Sequence, residues 1–256
     1  MILTIDVGNT NMEYGLFESG ELVSSFRLST NTNRTSDELG VLACQYFARF
    51  NHKIEDVKDV IICSVVPHIM HSLTNSIVKY FGKTPLIVDA DVDPGLEYDG
   101  DERLGTDRAV AIVAAVKKYG TPLIVLDFGT ATTVDAVDPN GKYLGGAIIS
   151  GLRISTDALS MRTSTLPRIE LAKPAGVIGK NTIWQLQAGA VYNFIGGIEH
   201  IIKVTKAEMG YPDAKVICTG GLSRLAADNC ASIDVIDRSL ILDGLMILYN
   251  RHKGIS

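Results

Sequence analysis

A chain of 256 residues with 46% hydrophobic content can bury one large core or two modest ones. With 24 Lys and Arg against 29 Asp and Glu the formal net charge is −5, and the basic residues are scattered, which argues against nucleic-acid binding through a basic face. No run approaches the ~20 apolar residues that span a bilayer, no secretory signal is recognised at the N-terminus, and the four cysteines include no Cys-x-x-Cys pair, so a reduced, cytoplasmic setting without membrane partners is expected.

Ile2, Leu3 and Ile5 form a short apolar run that reads as a buried strand. It stops at Asp6-Val7-Gly8-Asn9-Thr10-Asn11 and resumes over 12–17, which predicts a hairpin whose tip presents backbone N–H groups and hydroxyls. Glycine lets a ligand approach the backbone, the concavity suits a phosphate, and a carboxylate beside it suits the accompanying cation. The same residues would also serve an ordinary turn, which Asn and Gly favour. Residues 21–29 continue as a third strand, and a polar loop over 31–36 follows. Ser36 or Asp37 is expected to cap a helix whose apolar positions are Leu39, Leu42, Ala43, Tyr46, Phe47 and Phe50.

A buried strand is predicted over 57–64, then Ser64-Val65-Val66-Pro67, an amphipathic helix over 68–81 and a strand over 86–88. The stretch 89–104 is polar and turn-rich, carries Tyr98, and leads through Gly105-Thr106-Asp107-Arg108 into a helix over 109–119. Asp107 at a helix start is a common cap. Capping is the commoner role for such a residue, and the adjacent guanidinium and the polar loop before it raise the case for an anionic substrate.

The plan then repeats. Leu123–Leu126 is another apolar run, ending in Asp127-Phe128-Gly129-Thr130-Ala131-Thr132-Thr133 and resuming over 134–137. Asp6 and Asp127 are 121 residues apart, as are Gly8 and Gly129, and as are the distal turns Ser19-Gly20 and Asn140-Gly141. Two copies of strand, polar tip, strand, Gly turn and strand imply a duplicated domain facing itself across a cleft. Strands are expected to about residue 149, with Gly145-Gly146-Ala147-Ile148-Ile149-Ser150-Gly151 opening into a helix over 152–159 and a long loop over 162–180.

Asn181 or Thr182 should cap a helix reaching residue 206 that is apolar around much of its circumference, with Gly189, Gly196 and Gly197 leaving room for another backbone. Such a helix needs cover on more than one side, which suggests a subunit interface. Val216-Ile217-Cys218 reads as a late strand ending in Thr219-Gly220-Gly221, where bare backbone could receive a purine ring or equally make a plain strand-to-helix turn, and a last helix over 240–250 should pack on a sheet. Gly176–Thr182 lacks the spacing of a P-loop, no Gly-x-Gly-x-x-Gly fingerprint occurs, and His68 and His71 have no further metal ligands nearby in sequence.

In this order the motifs Asp6–Thr10, Ser64–Pro67, Gly105–Arg108, Asp127–Thr133, Gly145–Ile148, Ile178–Thr182 and Thr219–Gly221 resemble those of type III pantothenate kinases, in the acetate and sugar kinase/Hsp70/actin superfamily. The resemblance implies an α/β fold of two ribonuclease H-like domains around a central cleft, here 1–118 and 119–256, the second carrying a dimerisation helix. It implies ATP-dependent phosphorylation of pantothenate to 4′-phosphopantothenate, the first step of coenzyme A synthesis, by a homodimer that uses ATP, Mg²⁺ and a monovalent cation, K⁺ or NH₄⁺. Asp6, Val7, Gly8, Asn9, Thr10 and Asn11 would form the first phosphate loop, Thr130 and Thr132 the second, and Gly220 and Gly221 would lie against the nucleotide. Asp127 would hold the monovalent cation and Asp6 is a candidate Mg²⁺ ligand. Asp107 would be the catalytic base, or the group that aligns the hydroxyl, since an acid with a pKa near ~3.9 is a poor base for an alcohol. Tyr98, Gly105, Thr106, Arg108 and Thr182 would contact pantothenate, Thr182 from the partner subunit. Ser150 stands where the family usually has proline, and Glu13 is expected to point away from the phosphate loop. The competing readings are a kinase for another small hydroxylated substrate and a non-catalytic nucleotide-binding regulatory protein on the same scaffold.

Overall fold

The computed structural model describes residues 1–98 and 104–255, so residues 99–103 of the polar stretch before Gly105 lie outside the described residues. The chain divides into two compact units: residues 1–96, 104–114 and 239–255 belong to the first, and 97–98 with 115–238 to the second.

The first unit is built on β1 (Ile2–Val7), β2 (Asn11–Glu18), β3 (Glu21–Ser29), β4 (Asp59–Ser64) and β5 (Leu86–Ile87), in the sheet order β3-β2-β1-β4-β5. β1–β3 form an antiparallel meander, while β4 and β5 run parallel to β1. Parallel strands are covered on both faces, and the residues alternate accordingly. Leu3, Ile5, Val7, Met12, Tyr14 and Ile62 pack beneath α1 (Ser36–Arg49) and α2 (Pro67–Phe81). Ile61 and Cys63 turn to the other face, against the start of α3 (Thr106–Tyr119) and α7 (Leu240–Lys253).

α7 lies last in sequence, yet it belongs to the core of the first unit, not to that of the half that precedes it. Its Gly244 sits so close to α3 that a Cβ would come within 2.4 Å of the Val110 carbonyl oxygen. At its far end Tyr249 donates to Asp59 at 2.9 Å and Arg251 donates to the Pro94 carbonyl at 2.8 Å.

The cap of α1 is Thr35, one residue before the expected Ser36 or Asp37. Its hydroxyl accepts from the Glu38 N–H at 3.2 Å while the Glu38 carboxylate accepts from the Thr35 N–H at 2.8 Å, a closed capping box. Thr35→Ala should lower stability by about 1 kcal/mol, read as a shift of the urea midpoint with an unchanged m-value.

The second unit repeats the sheet. β6 (Leu123–Phe128), β7 (Ala131–Val137) and β8 (Tyr143–Ser150) form the meander, β9 (Lys215–Thr219) and β10 (Val235–Ile236) add parallel to β6, and the order is β10-β9-β6-β7-β8. α4 (Leu152–Arg162), α5 (Thr182–Met209) and the short α6 (Ser223–Ala227) complete it. One face of α5 (Val191, Phe194, Ile195, Ile198, Ile202) closes the core over Leu126, Phe128 and Val134. Its other face is open: Ile183 and Tyr192 are about half exposed, and among the described residues nothing beyond the helix's own backbone and the adjoining residues comes within 4 Å of where a Cβ would stand at Gly189, Gly196 and Gly197. No described helix is long and apolar enough to cross a membrane.

The two meanders match strand for strand, including a bulge that sets Val23 of β3 and Leu144 of β8 outside the register. They differ at the tips. Val7 pairs with Met12 in the first and Phe128 with Thr132 in the second, so the second tip is one residue shorter. The distal loop returns that residue, since Phe17 pairs with Leu22 but Val137 with Tyr143. The spacing of 121 therefore holds on either side of β2 and β7 and slips by one along them.

Candidate active site

In the first unit the chemistry-bearing residues gather where β1 and β4 end. Asp6 pairs with Cys63 and Val7 with Ser64, so Asp6 and Cys63 leave the sheet on the face covered by α3 and α7. The tip of the hairpin is tied down by its own backbone and by β3's end. The Gly8 N–H donates to the Asn11 carbonyl at 3.0 Å, the Thr30 hydroxyl donates to the Gly8 carbonyl at 2.6 Å, and the Thr30 N–H donates to the Thr10 carbonyl at 2.8 Å. Asn9, Thr10 and Asn11 remain exposed around that frame. At Gly8 a Cβ would stand 3.3 Å from the Asn11 carbonyl oxygen, so the turn itself leaves little room for a side chain there.

α3 begins at Thr106, three residues earlier than the expected Ala109, and this puts Asp107 inside its first turn. The Thr106 hydroxyl donates to the Ser64 carbonyl at 3.0 Å, which pins the helix start to the end of β4. One Asp107 carboxylate oxygen accepts the Arg108 N–H at 2.8 Å. Negative charge at this terminus is stabilised by the helix dipole. Burial pushes the pKa of the neighbouring Cys63 thiol well up, and the carboxylates of Asp6, Asp107 and Asp89 push it the same way. Three acids thus surround the C-terminal edge of one sheet, where ligands of open α/β folds bind. Glu13, opposite Asp6 in register, is engaged by Arg27 at 2.7 Å.

In the second unit Asp127 occupies the same place at the end of β6. Gly220 follows β9 with φ +90°, and a Cβ there would stand 2.4 Å from an Asp127 carboxylate oxygen and 2.7 Å from the Phe128 backbone. The Gly220 carbonyl accepts from the Ser223 hydroxyl at 2.8 Å, and Gly221 beside it is exposed. Thr130, exposed at the tip, offers its carbonyl to the Gly151 N–H at 3.2 Å. Ser150, in the position where proline was expected, lies 2.8 Å hydroxyl to hydroxyl from Ser155 in the first turns of α4.

The two threonines of the second tip go to opposite sides. Thr132 pairs with Phe128 and turns to the core under α5, whereas Thr133 pairs with Asp127 and shares its face. Both hydroxyl oxygens are buried with no hydrogen-bond partner among the described residues, a condition that costs on the order of 1–3 kcal/mol unless a ligand or water relieves it. Tyr98 bridges to Tyr143 on β8, their rings meeting edge to face at 6.3 Å. Thr182 is exposed in the first turn of α5, next to Asn181, whose side chain caps the helix by accepting from the Trp184 N–H at 2.9 Å.

A sequence model of type III pantothenate kinases matches residues 2–204, and a type III pantothenate kinase of Agathobacter rectalis is 46% identical across the full length of both chains. The chain belongs to the type III pantothenate kinase family. Two crystal structures resemble the fold of this family member. A Campylobacter jejuni protein described as a Baf family transcriptional activator aligns with a TM-score of 0.63 at 19% identity, over 99% of this chain and 100% of that one. A Sinorhizobium meliloti protein described as a 2-dehydro-3-deoxygalactonokinase aligns with a TM-score of 0.61 at 11% identity, over 98% and 96%. At these identities the likeness is one of fold alone.

The structure also sets at the tips three residues to which the sequence alone assigned no individual role. Thr30 clamps the first hairpin, and only its place just past the end of β3 signals that. Gly151 seats its backbone on Thr130, where a Cβ would stand 2.3 Å from the carbonyl oxygen. Thr133 takes the place beside Asp127, which becomes visible only once the shorter turn is known.

Proposed function

We propose that this chain transfers the γ-phosphoryl group of ATP to the primary hydroxyl of pantothenate, giving 4′-phosphopantothenate. The observation that carries this reading is that Asp6 ends β1 beside the end of β4, to which the Thr106 hydroxyl pins the helix start that bears Asp107, a phosphate-type tip beside a carboxylate at a helix start. Phosphoryl transfer has a loose transition state, so positioning and charge neutralisation supply most of the catalysis. The backbone of residues 6–11 and Thr130 bind the phosphates, and Gly220 and Gly221 lie against the nucleotide. Asp107 aligns the substrate hydroxyl and takes its proton late.

Arg108, Tyr98, Gly105 and Thr106 recognise pantothenate. For Thr106 the contact falls to the backbone, because the hydroxyl is engaged by Ser64. Thr182 joins them across a homodimer, and the open face of α5 supports that assembly. The oxygen donors around the tips fit hard cations: the Asp6 carboxylate for Mg²⁺, and for K⁺ or NH₄⁺ the Asp127 carboxylate with the Thr133 hydroxyl, which has no hydrogen-bond partner among the described residues. When bound, these ions offset triphosphate charge. A cytoplasmic setting accords with four free cysteines, three of them buried.

ADP release from the purified chain should require pantothenate. Release with another alcohol but not with pantothenate would overturn the substrate assignment. Arg108 is assigned to the pantothenate carboxylate through a charge-assisted contact. Pantothenol, which lacks that carboxylate, should therefore lose about 10²-fold or more in kcat/KM. Equal use of the two compounds would remove Arg108 from this role.

A further inference from the structure

We propose that Thr133 is a ligand of the monovalent cation, its side-chain hydroxyl completing the site that Asp127 begins. The inference rests on the assignment of that cation to Asp127 and adds a residue to it. Thr133 and Asp127 are direct cross-strand partners on β7 and β6, a relation that brings Cβ atoms within ~4.5–5.5 Å of each other on one face. On the other side of Asp127, in register on β9, is Thr219, 2% exposed. Three oxygen-bearing side chains therefore stand in a row across three strands. The Thr133 hydroxyl is buried and has no hydrogen-bond partner among the described residues, and a buried polar atom of this kind calls for a ligand or an ion.

The duplicated half shows that the fold does not itself demand threonine here. The corresponding row in the first unit is Glu13, Asp6 and Cys63. There the position opposite the aspartate carries a carboxylate with its own counter-ion, Arg27 at 2.7 Å. In the second unit the neighbour of Thr133 on β8 is Ile148, which is apolar and supplies no counter-charge. A neutral hydroxyl directly opposite one carboxylate is a donor pair of low charge, with the buried Asp135 two residues further along β7 on the same face. That suits a monovalent ion, whereas divalent oxygen sites recruit more carboxylates or keep more water. Potassium and ammonium can both use these oxygens, and the proposal concerns their shared requirement for a carboxylate with a hydroxyl.

The test is thermal unfolding of the full chain in KCl, in MgCl₂ and in tetramethylammonium chloride at equal ionic strength, without nucleotide, together with the KCl dependence of ADP release. Wild type should gain Tm in KCl over tetramethylammonium. Thr133→Val should lose that gain and raise the half-activating KCl concentration by about tenfold or more, while its Tm in tetramethylammonium equals or exceeds that of wild type. Thr133→Ser should retain the KCl response. If Thr133→Val keeps the wild-type response, or if it is markedly destabilised in tetramethylammonium, the hydroxyl is not a cation ligand and the proposal fails while the Asp127 assignment stands. If Asp127→Ala also keeps the KCl response, or if wild type responds to MgCl₂ but not to KCl, the monovalent-cation reading falls and takes this proposal with it.

Discussion

Asp107→Asn should lower kcat by about 10²–10⁴-fold, with the affinity for ATP unchanged. The substitution isolates charge and proton acceptance from architecture. Asp107 holds the start of α3 by accepting the Arg108 N–H, and the asparagine carbonyl oxygen can accept that bond equally well, so the helix start and the Thr106–Ser64 link should survive. What disappears is a carboxylate able to orient the substrate hydroxyl and receive its proton as the bond to phosphorus forms. Alignment errors in phosphoryl transfer are expensive because the reaction draws most of its acceleration from positioning. The measurement is kcat from ADP release, with ATP affinity by calorimetry as the control. Turnover within a few-fold of wild type would remove Asp107 from the reaction.

Gly220→Ala should abolish turnover and destabilise the protein by roughly 2–4 kcal/mol. Two independent costs meet at this residue. Its φ of +90° is a conformation that L-residues avoid, and the new methyl would stand 2.4 Å from the Asp127 carboxylate and 2.7 Å from the Phe128 backbone. The strand end cannot yield, because Phe128 is buried against Phe194 in the core under α5, so the methyl must displace the carboxylate or the glycine peptide. Gly221→Ala is the matched control. Its Cβ would meet nothing within 4 Å, and it should unfold within about 0.5 kcal/mol of wild type. Equal stabilities for the two variants would show that the close approach to Asp127 is not required.

Much of this site was legible before any coordinates. The aspartate–glycine tips announce themselves because a buried strand has few ways to end in small polar residues, and finding the pattern twice fixed the plan of both sheets. Other features follow from physics that a linear reading does not contain. Whether Thr132 or Thr133 stands beside Asp127 depends on a turn one residue shorter than its counterpart, and one residue inverts the faces of a strand. The capping box at Thr35 was overlooked because Ser36 and Asp37 are equally good caps by type, and only the return contact from Glu38 decides among them. α6 and β10, of five and two residues, are too short to show periodicity. The open face of α5 reads in sequence as apolar and glycine-rich, yet which side the core takes is settled only by packing.

The placement of α7 has a consequence for how the protein is made. The half that leaves the ribosome first cannot be finished until α7 emerges, because the face bearing Ile61 and Cys63 waits for Leu245, Leu248 and Tyr249 to cover it. At ~5–20 residues per second, that interval lasts several seconds or more. The later half carries its own cover in α5 and has no such wait. Removing even a short piece of the tail would therefore injure the earliest-made sheet, the one that holds Asp6 and Asp107.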